Sequence, residues 1–343
     1  MINSDQFLMD SGFWGWLYKL LTPVEWLMMQ VMGLLHRLLT LIGMSPVGFS
    51  WVLSIIFLVL VVHSCILPIY IKQMKSMRKM QALQPKLQRI QNKYKGKNDQ
   101  ASKEAMQRET MKLYQDNDAN PAGSCLPLLI QSPVFMCMFY ILSAIPYIAR
   151  GVREPITLFG SAGLFGVEEA KQFAQSNIIG VGFTDTFSGS GTHGKIIMGV
   201  FVALMCGGLW FQQHYSMKHN MSPEALAGPA AGTQKAMLWI FPIMYIFSGI
   251  LMPFAVLVYW LTNNICNLLR MMWQVYEFPT PGTPAAEAKK KRDHDRENAR
   301  RAKAGQISIE EEELARAKEE AERKLTQGYQ RVQPQRKNRR KKG

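Results

Sequence analysis

Residues Phe49–Ile71 form a run of 23 positions without one fully charged side chain. About 20 apolar residues are enough to cross the hydrocarbon core of a bilayer. In that core every backbone polar group must be satisfied internally, so the run predicts a membrane-spanning α-helix. It carries one ionisable group, His63, and a strongly basic stretch starts at Lys72. An ionisable residue inside a span is a functional candidate by default.

Further apolar runs predict spans at about 126–148, 196–213, 236–252 and 254–275, with Pro253 turning the chain between the last two. The fold class expected is therefore all-α, a polytopic membrane protein with five transmembrane helices. Residues 72–117 are polar and helix-prone, broken by KYKGKN at Lys93–Asn98, and read as two antiparallel helices, about 73–92 and 101–117. Before the first span, Val24–Gly43 gathers Glu25, Gly33, His36, Arg37 and Thr40 on one helical face, with leucines, Met28 and Val31 on the other. That pattern suits an interfacial helix better than a span. Residues 277–288 are a Pro-containing linker to a charged tail, expected to be largely disordered with a short helix around Ile309–Leu325. The chain thus divides into an N-terminal segment (1–48), a core (49–276) and a basic tail (277–343).

Lys and Arg number 12 in 72–117 and 19 in 277–343, against three in 149–194. Cytoplasmic segments carry such an excess. Five spans then place the hairpin and the tail inside, and the N-terminus and the 149–194 loop outside. No secretory signal or organelle transit pattern is apparent, which favours a bacterial cell membrane. The five cysteines lie in or beside apolar runs, and no CxxC pair points to a metal site or a disulfide framework.

Enzyme chemistry finds no support in the motifs. Gly189–Lys195 (GSGTHGK) matches most of a P-loop, but Ile196 follows where a magnesium-binding hydroxyl is required. The histidines are scattered, and no predicted span holds an Asp or Glu. No catalytic residue, cofactor, metal or small-molecule substrate is expected. The spans do hold uncharged polar groups: His63, Gln131, Gln212, Gln213, Asn263 and Asn264. They suit either interhelical hydrogen bonds, worth about 0.6 kcal/mol each, or the lining of a wet cavity.

Asn120–Phe135 (NPAGSCLPLLIQSPVF) resembles the start of the second core span in the YidC/Oxa family of membrane protein insertases. Leu83–Leu87 (LQPKL) resembles the family's hairpin arm, and Tyr259–Asn264 (YWLTNN) its final span. The three blocks occur in the family's order, and the chain looks like the short form lacking a large extracytoplasmic domain. The resemblance implies a five-helix core around a hydrophilic groove that opens to the cytoplasm and sideways to lipid. Groove residues would be His63, Gln131, Gln212, Gln213, Tyr259, Trp260, Asn263 and Asn264. The cytoplasmic hairpin would work through Met77, Met80 and Pro85. The family has an arginine five residues before the proline that is Pro68 here, and this chain has His63 instead. An arginine keeps its charge, whereas a histidine in an apolar setting is expected to be neutral.

The function expected is insertion and folding of nascent membrane proteins, with or without the Sec translocon. Lys289, Lys290, Lys291 and Arg292, with Arg339 and Arg340, would meet a ribosome or anionic lipids. A small-solute transporter would show internal repeats, and none is evident. A mere ribosome-tethering anchor would leave the polar groups in the spans without a role.

Overall fold

The structure, a computed structural model, describes residues 8–97, 99–119, 126–223, 226 and 230–326. It is helical almost throughout. Helix α1 is Gly12–Leu41 and α2 is Phe49–Ala82. The pair α3 (Gln84–Lys93) and α4 (Gln100–Asp116) follows. Then come α5 (Leu126–Ala149), α6 (Val167–Gln175), α7 (Thr192–Asn220), α8 (Ala230–Leu251) and α9 (Phe254–Glu277). A two-residue hairpin, β1 (Asn177–Ile178) with β2 (Val181–Gly182), sits between α6 and α7.

Among the described residues, three helices are long and apolar enough to cross a membrane: Phe49–Met80, Gln131–Ala149 and Thr192–Asn220. Lys235–Leu251 is apolar but shorter. Helix α9 misses that standard because Asn263, Asn264, Asn267 and Arg270 interrupt it. Its first two turns, Phe254–Trp260, are nevertheless buried among the other helices, as are Asn263 and Asn264, with Asn267 and Arg270 half-buried. Helix α8, by contrast, turns Trp239, Ile243, Met244 and Phe247 outward, as lipid permits.

Helix α2 is 34 residues, about 50 Å, against a hydrocarbon core of about 30 Å. The stretch from Lys72 therefore projects beyond the span without a break. This differs from the expected hairpin, whose first arm begins at about residue 73. Only α3 and α4 form the antiparallel pair, because Pro85 suits the first turn of a helix and so starts a new one. Asp99 caps α4 by accepting from the Ser102 N–H at 2.8 Å, and Glu109 accepts from Tyr94 Oη at 2.9 Å, joining the two arms.

At the opposite end of the bundle, here the loop end, α1 grips the 156–176 segment with its polar face. Trp26 Nε1 donates to Ser161 O and Gln30 Nε2 to Ala162 O, both at 2.9 Å, and Arg37 pairs with Glu169 at 3.0 Å. A side chain at Gly33 would meet Leu164 O at 2.9 Å, so only glycine permits this approach. The helix buries Glu25, Gly33 and His36 beside Met28, Met29, Met32 and Leu39, while Leu27, Leu34, Leu38 and Leu41 are exposed.

Residues from 287 onward form a separate unit. There α10 (Pro284–Lys303) and α11 (Ile309–Thr326) carry more order than the sequence reading expects. Ala, Glu, Lys and Arg are good helix formers, and Arg301 pairs with Glu312 while Arg316 pairs back to Glu312 at i,i+4. Arg339 and Arg340 lie outside the described residues, as do residues 120–125 of the Asn120–Phe135 motif.

Candidate functional site

The polar groups of α2, α5 and α9 converge in the half of the bundle nearer the hairpin. Tyr70 Oη donates to Gln131 Oε1 at 2.6 Å, and Gln131 Nε2 donates to Asn263 Oδ1 at 3.3 Å. The Arg270 guanidinium lies 3.5 Å over the Tyr70 ring and donates through Nη2 to Asn267 Oδ1 at 2.9 Å. His63 directs Nδ1 to the Val59 carbonyl at 2.9 Å, one turn back on its own helix. Asn267 and Arg270 are its polar neighbours on α9.

This region is not fully satisfied. Eight buried side-chain polar atoms among the described residues have no hydrogen-bond partner. Five of them are here: His63 Nε2, Gln73 Nε2, Tyr259 Oη, Asn264 Nδ2 and Arg270 Nη1. Buried polar groups are paired in the large majority of cases, so such a concentration sets this region apart from the rest of the bundle. Proline adds to it. Pro68 and Pro133 interrupt α2 and α5, and each removes the bond its nitrogen would give to the carbonyl four residues earlier, Ser64 and Leu129.

Aromatic packing closes the other end. Trp51, Phe165, Phe173, Phe183 and Phe254 are fully buried. Their rings follow one another at 5.4 Å (Trp51–Phe173), 5.0 Å (Phe173–Phe183) and 6.3 Å (Phe183–Phe254). His36 stacks on Trp51 at 3.6 Å, and burial pushes its pKa down. The backbone ties the plug to the bundle: Phe254 N donates to Asp185 O at 2.8 Å and Ala255 N to Phe183 O at 3.0 Å.

His63 lies 14 residues, about 21 Å, below the start of α2. At its level Leu58, Val59, Val134 and Met138 close around a crevice with no room for a water molecule. It is too tight to pass water towards the plug. Bulky apolar side chains thus stop the polar region at His63, and most of the orphaned groups lie below it.

The expected groove residues separate accordingly. His63, Gln131, Asn263 and Asn264 come together, with Tyr259 buried beside them and its hydroxyl unpartnered. Trp260 is packed between Phe135 at 5.3 Å and Tyr245 at 4.7 Å, as a wall of the core. Gln212 and Gln213 are half-buried on α7, whereas the network is built from α2, α5 and α9. On the hairpin side Met77 and Met80 are half-buried at the projecting end of α2, and Pro85 is exposed. Tyr70, Gln73 and Arg270 escape the sequence reading. The signal for Arg270 is present, a cation 16 residues into an apolar helix, but it looks like flanking charge until α2 is placed beside it. The P-loop-like segment is a loop-to-helix turn, in which a His193 ring nitrogen lies 2.8 Å from the Ile179 carbonyl.

Comparison with known proteins agrees with this architecture. The family model described as 60Kd inner membrane protein matches residues 43–280. A Bifidobacterium longum protein named membrane protein insertase YidC is 65% identical over 341 residues, 99% of this chain and all of the relative. The chain belongs to the YidC/Oxa family of membrane protein insertases. A Tropheryma whipplei relative of the same name is 31% identical over 83% of this chain and 92% of its own length. One from Oceanobacillus iheyensis is 30% identical over 75% of this chain and 81% of its own. The matched region contains α2 to α9 entire, and so contains the whole polar network and most of the aromatic plug.

Proposed function

We propose that this chain is an integral protein of a bacterial cell membrane that inserts nascent membrane proteins, and that its unsatisfied polar network is where a client's hydrophilic end is received. Five helices, α2, α5, α7, α8 and α9, span the membrane. The hairpin and the tail face the cytoplasm, and the N-terminus and the 149–191 segment face outward.

The observation that carries the reading is the asymmetry between five orphaned polar groups at one end and the aromatic plug at the other. A charged side chain costs about 2.5–3.5 kcal/mol at the centre of a span. A polar recess entered from one face lowers that cost over part of the thickness, and the plug prevents a continuous leak. A client's Leu-type residues each gain about 0.3–0.6 kcal/mol on reaching lipid. A whole span then gains several, so release is downhill and no nucleotide is required.

Arg270 supplies a fixed charge in this region. It lies on α9, where it neighbours His63. In the tail, residues 287–326 hold 12 Lys and Arg against 11 Asp and Glu. The excess charge is therefore concentrated at Lys289–Arg292, where Lys290 and Lys291 are exposed, and beyond residue 326. These clusters suit a ribosome or anionic lipid, and the Sec translocon is a further partner.

Reconstitution tests the proposal. Proteoliposomes containing the purified protein should insert a small one- or two-span client without nucleotide. Insertion no better than into protein-free liposomes, or solute flux in its place, would overturn it.

A further inference from the structure

We infer that the loop end carries a binding site for the headgroup of an anionic phospholipid of the phosphatidylglycerol type. The site is a cavity of about 530 Å³ between the last turns of α5, helix α6 and the 184–186 loop. That size falls within the roughly 300–1,000 Å³ of small-ligand pockets. Its charged lining is Arg150 and Lys171, and its hydroxyls come from Ser143, Tyr147, Thr184 and Thr186. No carboxylate is part of the lining. Asp185, between the two threonines, turns away to accept from the Gly182 N–H at 2.9 Å.

Arg150 rests 4.8 Å over the Tyr147 ring and donates only Nε, to the Pro146 carbonyl at 3.1 Å. Its remaining N–H groups point to a phosphate, for which a planar guanidinium is well matched. Lys171 is exposed and makes no ion pair among the described residues. A choline or ethanolamine headgroup would bring a third cation beside these two, with no carboxylate to receive it. A glycerol headgroup would instead offer hydroxyls to the threonines.

Depth favours a lipid over a soluble anion. From Ala149 the cavity reaches back to Ser143, six residues and about 9 Å along an apolar span. Pro253 forms part of the wall, and two to three residues before it Ile250 and Leu251 are exposed, a surface fit for acyl chains. The inference stands on membrane embedding alone and is independent of client insertion.

Native mass spectrometry of the full chain tests it, after delipidation and titration with phosphatidylglycerol or phosphatidylcholine. The parent should retain phosphatidylglycerol with about tenfold preference, and Arg150→Gln/Lys171→Gln should lose most of that preference. Because both proteins keep the basic tail, the difference reports on the cavity. Lys171→Gln alone, at an exposed position, serves if the double variant unfolds, and should weaken the preference in the same direction. Undiminished preference in the folded variants would overturn the inference. So would displacement of the lipid by millimolar inorganic phosphate, which would make this a site for a soluble anion.

Discussion

At Arg270 a cation is held in the bundle by one ring and one amide, with Nη1 left over. A cation over an aromatic face gains about 0.5–2 kcal/mol, enough to fix its position without neutralising it. Replacing it with Gln should slow insertion of clients with acidic translocated ends by about tenfold or more, equivalent to at least about 1.4 kcal/mol in the barrier. Arg270→Lys should recover part of the rate, and His63→Leu should cost less than Arg270→Gln. Initial rates in proteoliposomes with acidic and neutral clients check this, and equal slowing of both client types would remove the charge from the mechanism. Glu25, on α1 and outside the apolar spans, makes a second case. Burial pushes its pKa up to about 8, with Arg153 opposing and Asp10 assisting. The folded chain therefore keeps a proton that the unfolded chain releases from about pH 4.5 upward. Stability falls as pH rises from that value through about 8 and then levels off. Thermal unfolding in detergent should show a lower midpoint at pH 9 than at pH 6, and Glu25→Gln should flatten that difference. The sequence shows both residues, but neither the ring beneath Arg270 nor the burial of Glu25, since those contacts join positions 200 and more than 100 apart.

Among the helices, the one most changed from expectation is α2. Its apolar run marks the span, and helix periodicity continues through the basic stretch, yet the sequence has no signal for where span becomes hairpin. The division falls at Leu83–Pro85 because proline opens a helix more readily than it continues one. The consequence is testable by deletion. Removing residues 84–116 takes out only α3 and α4, and the protein should remain in the membrane at normal abundance with insertion lost. A deletion reaching back to residue 73 also removes Gln73 and Met74, which are buried. It should lower the melting temperature as well as activity. Quantitative blots of alkali-extracted membranes, with unfolding curves of the purified variants, separate the two. Equal stability of both deletions would show that the end of α2 contributes nothing to the bundle. Helix α1 was more legible. The clustering of Glu25, Gly33 and His36 on one face is visible in the sequence and these three are buried, but Met28, expected on the opposite face, is buried with them and Arg37 is exposed. What it packs against is not visible, because the 156–176 segment has no periodicity to announce its docking.

Across the whole molecule the decisive property is that polarity rises towards the hairpin and ends at a wall of apolar side chains. Sequence supplied the polar positions on α2, α5 and α9 but left their depth open, which packing between distant segments decides. Ser54 is fully buried two turns above His63, beneath the aromatic plug, whereas Gln131 and Asn264 lie in the network itself. Single cysteines at these positions, in a background without the native five, give a depth profile in sealed vesicles. A small water-soluble maleimide should label Gln131→Cys and Asn264→Cys from the hairpin side. Ser54→Cys should stay unlabelled from either side until the membrane is dissolved. Reversing the vesicles should reverse which compartment the reagent must occupy, which separates a one-ended recess from general looseness of the bundle. Labelling of Ser54→Cys would mean the plug admits water and the passage runs through. Protection of both Gln131→Cys and Asn264→Cys would mean the orphaned groups sit in a dry interior, and a client's polar end would have no place to enter.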